Sequence, residues 1–196
     1  MIRNTPGGSA LAWRHLFNQV NDITFELHVF EFDKECALKW QKDHPYTADG
    51  VHTGDSSSET DLLKAYTDAG GIPFDVMIDD ASHINWHQIK TMDYMLPKIT
   101  EGGFYVVEDT PSACRDWLAN MGTHVGKKGS ENTGGAQDCM TTTDGKQTIL
   151  ARLLDYQRQL IGKRNGGFGP GAFPNDVSRI EIHNGIALLS KEIMTE

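Results

Sequence analysis

Hydrophobic residues along the chain alternate between short runs typical of buried strands and longer segments with helical spacing. The strand-like runs are FELHVFEFD (25–33), VHTGD (51–55), FDVMIDD (74–80) and GGFYVVED (102–109). Helical spacing predicts helices at SALAWRHLFNQV (9–20, with Ser9 as N-cap), through Lys39 and Trp40, at SSETDLLKAYTDAG (57–70), at 84–96 and at KQTILARLLDYQRQL (146–160). This alternation predicts an α/β fold, in which a parallel sheet is covered by helices on both faces.

The C-terminal third of the chain departs from this alternation. VSRIEIHNGIALLSKE contains two alternating runs joined at Asn184-Gly185, which predicts an antiparallel hairpin of 177–183 with 185–191. The segment 112–145 is rich in Gly, Thr, Asn and Ser and predicts a long loop or lid, with a merely flexible insertion as the alternative. Because no repeat and no linker divides the chain, 1–196 is expected to be a single domain.

Charge and cysteine content narrow the classes of function. The formal net charge of −9 and the absence of a Lys/Arg cluster argue against a nucleic-acid partner. Three cysteines without a CxxC pair predict free thiols in a reducing compartment. The sequence has neither an apolar run of membrane-spanning length nor a signal-peptide segment, so a soluble, cytoplasmic protein without a membrane partner is expected.

Acidic residues stand at the carboxyl ends of all four predicted parallel strands. In open α/β folds ligands bind outside these ends. Solvated acids at strand ends are common, but crowded carboxylates repel each other unless a cation or ligand hydroxyls relieve the cost. The residues concerned are Glu31 and Asp33, Gly54 and Asp55, Asp79 and Asp80, and Glu108 and Asp109.

A family resemblance is carried by IDDASHINWHQ followed by GGFYVVEDT. The pair resembles the signature of the macrocin O-methyltransferase type, a class I family with a Rossmann-like fold that uses S-adenosylmethionine (SAM) to methylate sugar hydroxyls on natural products. Cephalosporin-hydroxylase-like proteins share much of the pattern. GGSALAWRHLF, VFEFD and HTGDSSSETDLL resemble further motifs of the family, so the likeness runs from about 7 to 192. Ala81 replaces a glycine of the family's motif.

The resemblance implies a magnesium site and a proton acceptor. Asp80, Glu108 and Asp109 fall on the family's Mg²⁺-binding acids, His83 falls on its general base, and His87 on a second histidine one helical turn later. A helix-capping or otherwise structural role is the alternative for both histidines. Independently, carboxylates without a nearby cysteine form a hard oxygen site that suits Mg²⁺ better than Zn²⁺.

The resemblance also implies residues that bind SAM and a small-molecule acceptor that carries a hydroxyl group. Gly7, Gly8 and Ser9 match the end of the family's glycine motif, whose backbone approaches the methionine end of the cofactor. Glu31 matches the acid that holds the ribose. The remaining matches are Asp55 and Ser56, which frame the adenine, and Asp79.

The N-terminus departs from the family, which opens with a central strand and a complete glycine loop. MIRNTPGGSA carries only the last two glycines, so an N-terminally truncated chain that lacks the first strand and binds SAM poorly is expected. Unpaired strand edges would then cause low solubility or a homo-oligomer that covers the gap. Two other classes of function stay open: a methyltransferase-derived binding domain that has lost SAM, and a metal-dependent hydrolase built on Asp80-x-x-His83-x-x-x-His87.

Overall fold

A computed structural model describes residues 7–113, 139–142, 145–164 and 176–193. The chain forms two compact units, Met1–Ile72 and Pro73–Glu196. Most of the predicted loop or lid at 112–145, namely 114–138 and 143–144, lies outside the described residues. No helix in the described ranges is long and apolar enough to cross a membrane.

The first unit alternates helices with two short strands. Its elements are α1 (Gly8–Phe17), β1 (His28–Glu31), α2 (Lys34–Asp43), β2 (Gly50–Thr53) and α3 (Glu59–Asp68). The two strands pair in parallel, with His28 opposite Gly50 and Glu31 opposite Thr53. β1 is shorter than the alternating run at 25–33 because only residues 28–31 of that run pair with β2.

Side-chain caps begin two of these helices, as their sequences indicate. The Asp33 carboxylate accepts hydrogen bonds from the backbone N–H groups of Glu35 and Cys36 at the start of α2. The Ser58 hydroxyl accepts from the N–H of Asp61 at the start of α3. Each bond satisfies a backbone donor that the first helical turn leaves without a partner.

The start of α1 differs from the prediction. Its N-cap is Gly7, in the left-handed conformation with φ of 72°, whereas the predicted cap Ser9 lies inside the helix. A Cβ at Gly7 would lie 2.1 Å from Nε1 of Trp40. Glycine is therefore required at the cap, both for its backbone conformation and for the close approach of the indole.

The second unit contains a mixed sheet and two longer helices. Its elements are β3 (Phe74–Asp79), α4 (Asn85–Met95), a 3₁₀ turn (Leu96–Lys98), β4 (Ile99–Glu108), a 3₁₀ turn (Thr110–Ala113), α5 (Ile149–Arg164), β5 (Val177–His183) and β6 (Ile186–Lys191). The strand order is β3-β4-β6-β5. β3 and β4 are parallel, while β6 is antiparallel to both β4 and β5, which confirms the predicted C-terminal hairpin.

The core of the second unit lies where α4 and α5 pack with the sheet. Its fully buried side chains include Tyr105, Val107, Leu189, Met92, Leu96, Leu153 and Tyr156.

A polar cluster also joins α4 and α5. The Tyr156 hydroxyl donates to Asp93 at 2.5 Å, and Arg152 pairs with the same carboxylate at 2.7 Å.

The cysteines differ from the expectation of three free thiols. Cys36 is an exposed free thiol, but Cys139 is disulfide-bonded. Spacing along a sequence does not reveal which sulfur atoms the fold brings together, so the prediction was wrong for Cys139. The cysteines therefore no longer support a reducing compartment.

Candidate metal and catalytic site

The site lies at the adjacent carboxyl ends of β3 and β4. The parallel register places Asp79 opposite Val107, so the residues that follow the two strands come together. Nε2 of His83 lies 3.2 Å from Oδ2 of Asp109 and 3.7 Å from Oδ1 of Asp80. One ligand atom from each of these three residues lies within 4.8 Å of the other two.

Two of the three residues adopt a backbone conformation that is unusual for side chains with a Cβ. His83 has φ of 53° and Asp109 has φ of 54°, both in the left-handed region. Such residues cost roughly 1–3 kcal/mol each and persist where the surroundings hold them. Their coincidence in one cluster indicates that the fold maintains this arrangement at the expense of local stability.

The site carries an excess of negative charge. Burial raises the pKa of Asp80, and Asp109 raises it further, while His83 opposes the shift. Burial likewise raises the pKa of Glu108, with added repulsion from Asp80 and Asp109. A cation or a set of hydroxyl donors would relieve this repulsion.

The predicted acidic triad is only partly brought together. Asp80 and Asp109 lie in the cluster, but Glu108 is outside the group of ligand atoms within 4.8 Å, and His83 takes the third place. Glu108 is the last residue of β4, and its carboxyl group interacts electrostatically with Asp80, Asp109 and His83. Glu108 therefore influences the site through its charge.

The two predicted histidines have different surroundings. His83 faces the acids, whereas His87 lies in the first turn of α4 and its Nδ1 is 2.9 Å from the Ser82 hydroxyl. The ring of His87 also meets the Trp86 indole edge-on. His87 thus contacts Ser82 and Trp86 and is not a member of the group formed by Asp80, His83 and Asp109.

The donor set fits a hard divalent cation. Two carboxylates supply oxygen ligands, and the side chain of Asp80 is 54% exposed and thus accessible to an ion. Mg²⁺ commonly binds through one or two carboxylates and keeps several waters. Asp80 and Asp109 would hold such an ion, with Glu108 adding negative potential.

The residues expected to bind the cofactor ribose and adenine lie at the carboxyl end of the β1–β2 pair. Glu31 is exposed at the end of β1, and its carboxylate accepts the backbone N–H of Asp33. Asp55 follows β2 and accepts from the N–H and the hydroxyl of Ser57, which closes a turn around the half-buried Ser56. An exposed carboxylate at a strand end can accept from ribose hydroxyls.

The glycine-rich start of α1 and Asp79 differ in accessibility. Gly7, Gly8 and Ser9 are exposed, and no neighbouring atom lies within 4 Å of a Cβ built at Gly8. Asp79 is only 3% exposed. Burial raises the pKa of Asp79 to about 6, although the hydrogen bonds from the Ala81 N–H and the Tyr105 hydroxyl oppose this rise. The carboxyl group of Asp79 is thus enclosed by protein.

Sequence reasoning missed the buried amides that surround the site. Asn85 and Gln88 of α4 are 0% and 1% exposed, and both bond to the chain that follows β4. Their signal in the sequence is a pair of polar residues three positions apart at the start of a helix, which share one helical face. That signal alone does not distinguish a buried face from a solvated one.

Comparisons with known proteins support the family resemblance. No family model matches the chain. Demethylmacrocin O-methyltransferase of Streptomyces fradiae is 26% identical over 190 residues, which are 97% of this chain and 41% of that protein. A second relative is the 8-demethyl-8-(2-methoxy-alpha-L-rhamnosyl)-tetracenomycin-C 3'-O-methyltransferase of Streptomyces olivaceus. It is 33% identical over 53% of this chain and 23% of its own length.

A solved structure shows the same fold. MycE methyltransferase from the mycinamycin biosynthetic pathway, in complex with Mg, SAH and mycinamycin VI, superposes with a TM-score of 0.58 at 21% identity. The match covers 85% of this chain and 36% of that one. This chain therefore spans less than half the length of these proteins. The chain is therefore similar in sequence to demethylmacrocin O-methyltransferase, and it has the Rossmann-like α/β fold of a solved methyltransferase.

Proposed function

We propose that this chain supports SAM-dependent, Mg²⁺-assisted methylation of a hydroxyl group on a sugar or other natural-product acceptor. One observation carries the proposal. Asp80, His83 and Asp109 converge where β3 and β4 end, in a chain similar over 97% of its length to an O-methyltransferase. An oxygen-rich cluster with an adjacent imidazole suits the deprotonation of a hydroxyl.

In this proposal, Asp80 and Asp109 hold Mg²⁺, with Glu108 as a further acidic group, and His83 accepts the proton. Bound Mg²⁺ supplies Lewis acidity, which lowers the pKa of an acceptor hydroxyl. Nε2 of His83 takes that proton, and the resulting imidazolium is stabilised by the two carboxylates within 3.7 Å. We propose no direct proton transfer by His87, whose Nδ1 contacts Ser82.

SAM, when bound, would supply an electrophilic methyl group for the acceptor oxygen. Gly7, Gly8 and Ser9 are proposed to approach the methionine end and Glu31 to accept from the ribose. Asp55 and Ser56 would frame the adenine. We assign Asp79 a supporting role because its carboxyl group is enclosed by protein.

The proposed partner is a small molecule with a free hydroxyl group. The mycinamycin VI in the MycE complex and the demethylmacrocin named for the S. fradiae enzyme define the acceptor class to test. The net charge of −9 disfavours nucleic acid. A cytoplasmic location and a homo-oligomer remain proposals, which cell fractionation and light scattering would test.

Calorimetry with SAM, followed by transfer of a labelled methyl group to demethylmacrocin and mycinamycin VI, tests the function. His83→Asn should keep SAM binding and reduce transfer about 10²–10⁴-fold, the usual contribution of a general base. Asparagine tolerates the left-handed backbone of this position, so the substitution removes the imidazole with little strain.

His183→Asn is the matched control, because His183 is 61% exposed and lies at the end of β5 in the same unit. It should leave both SAM binding and transfer unchanged. An unmodified chain that binds neither SAM nor Mg²⁺ would contradict the proposal. Tight SAM binding with equal transfer by the wild-type chain and His83→Asn would instead exclude His83 as the base.

A further inference from the structure

The backbone of residues 108–112 connects β4 to the 3₁₀ turn and contains Asp109. Among the described residues, three hydrogen bonds join backbone groups of this segment to other elements. Gln88 donates through Nε2 to the carbonyl of Glu108 at 2.9 Å, and the N–H of Thr110 donates to the carbonyl of Gly185 in the hairpin turn at 3.3 Å. Asn85 donates through Nδ2 to the carbonyl of Ser112 at 3.4 Å.

The two amide side chains are fully buried and belong to one helix. Asn85 and Gln88 are 0% and 1% exposed. A buried amide is costly unless its polar atoms are bonded, and here the Ser112 hydroxyl also donates to Oε1 of Gln88 at 3.4 Å. Such a bonded amide has few alternative positions, so it fixes the backbone that it contacts.

The same helix begins next to the other half of the site. α4 starts at Asn85, two residues after His83, and its first turn therefore moves with His83. Asn85 also accepts the N–H of Ile149 through Oδ1 at 2.9 Å and so joins the start of α5 to this point. The first turn of α4 thus follows the residues after β3 along the chain, and it is hydrogen-bonded to the segment 108–112 at the end of β4.

We propose that Gln88 and Asn85 are positioning residues, which set Asp109 at the distance from His83 and Asp80 that metal binding requires. The inference rests on the proposed function in assigning Mg²⁺ to this cluster. Asp109 has φ of 54°, a conformation that a free loop would leave. The hydrogen bonds that the two side-chain amides donate to the carbonyls of Glu108 and Ser112 lie on either side of Asp109 in the chain. They hold the strained residue in place.

Gln88→Met tests this role, because methionine has a similar volume but no amide. Mg²⁺ alone, followed by calorimetry, is the probe. The dissociation constant should rise about 10–100-fold, as is typical for residues that orient metal ligands. Hydrogen exchange of the backbone N–H groups of Thr110 and Ser112 in the metal-free protein should quicken, whereas exchange in the β5–β6 pair should not change.

Tyr156→Phe is the matched control. It removes the part-buried hydrogen bond to Asp93 between α4 and α5, which does not involve the segment 108–112. It should lower the melting temperature at least as much as Gln88→Met but leave the Mg²⁺ dissociation constant within twofold of wild type.

Equal losses of Mg²⁺ affinity in the two variants would overturn the proposal, since general destabilisation would then explain both. Unchanged affinity and unchanged exchange in Gln88→Met would also overturn it. If the wild-type chain binds no Mg²⁺, the proposed function fails separately. Hydrogen exchange then still decides whether Gln88 holds the segment, and unchanged exchange refutes that part.

Discussion

Replacing Asp80 by asparagine should stabilise the metal-free protein and remove most of its stabilisation by Mg²⁺. Burial and Asp109 raise the pKa of Asp80 despite the opposing effect of His83, so the surroundings disfavour its negative charge. Asparagine has the same shape without that charge. A residue that lowers stability in the absence of ligand, yet is required for ligand binding, is typical of a functional site.

The expected gain follows from the geometry. Two unit charges 4.8 Å apart, the outer limit of the ligand atoms here, interact by about 1 kcal/mol in water and three to four times that at an effective dielectric constant of 20. The side chain of Asp80 is 54% exposed, so the value for water applies, and attraction to His83 offsets part of it. We expect a gain of about 0.5–1 kcal/mol, or about 1–4 °C in melting temperature.

The loss of stabilisation by Mg²⁺ in Asp80→Asn should be larger than the gain of the metal-free variant. At a Mg²⁺ concentration 100 times the dissociation constant, the wild-type protein gains about 2.7 kcal/mol, or about 5–10 °C. Thermal unfolding at pH 7.5 with and without Mg²⁺ measures both effects. Asp75→Asn is the control, because Asp75 is an exposed acid on the same strand, β3. It should leave the response to Mg²⁺ unchanged.

Two results would refute this reasoning. If metal-free Asp80→Asn melts below wild type, the carboxylate contributes to stability and the repulsion argument is wrong. If Mg²⁺ raises the melting temperature of Asp80→Asn as much as that of wild type, the ion binds elsewhere.

Three further substitutions test the fold. Gly7→Ala should destabilise the first unit by about 1–3 kcal/mol in a denaturant titration, since the new Cβ would meet Trp40 and adopt a positive φ; an unchanged midpoint would contradict this. Leu153→Ala should cost about 2–5 kcal/mol in the same titration, because Leu153 is fully buried; a loss below 1 kcal/mol would contradict its place in the core. Burial and nearby His28 lower the pKa of His52, so the unfolded chain binds a proton at this histidine more readily than the folded protein does. The free energy of unfolding should therefore fall as the pH drops below about 6.5. His52→Asn should weaken this dependence of the melting temperature on pH. Identical pH profiles would exclude a contribution from His52.

Local sequence determined much of the fold because its signals act over a few residues. Alternating residues on either side of Asn184-Gly185 specified the hairpin, since the turn sets the register of the strands that it joins. Ser58 and Asp61 marked the start of α3 through a bond within one helical turn. The Ser9 cap was wrong because Trp40, far away in sequence, packs against Gly7.

The sequence also located the acids of the candidate site, because parallel strands bring their carboxyl ends to one edge of a sheet. Asp80 and Asp109 were predicted in this way. His83 was expected beside them from the family resemblance. Only the tertiary structure decided that Glu108 lies outside the cluster, and that Gln88 bonds to the chain beside Asp109. These features depend on side-chain direction, positive φ angles and burial, which arise from contacts between residues distant in sequence.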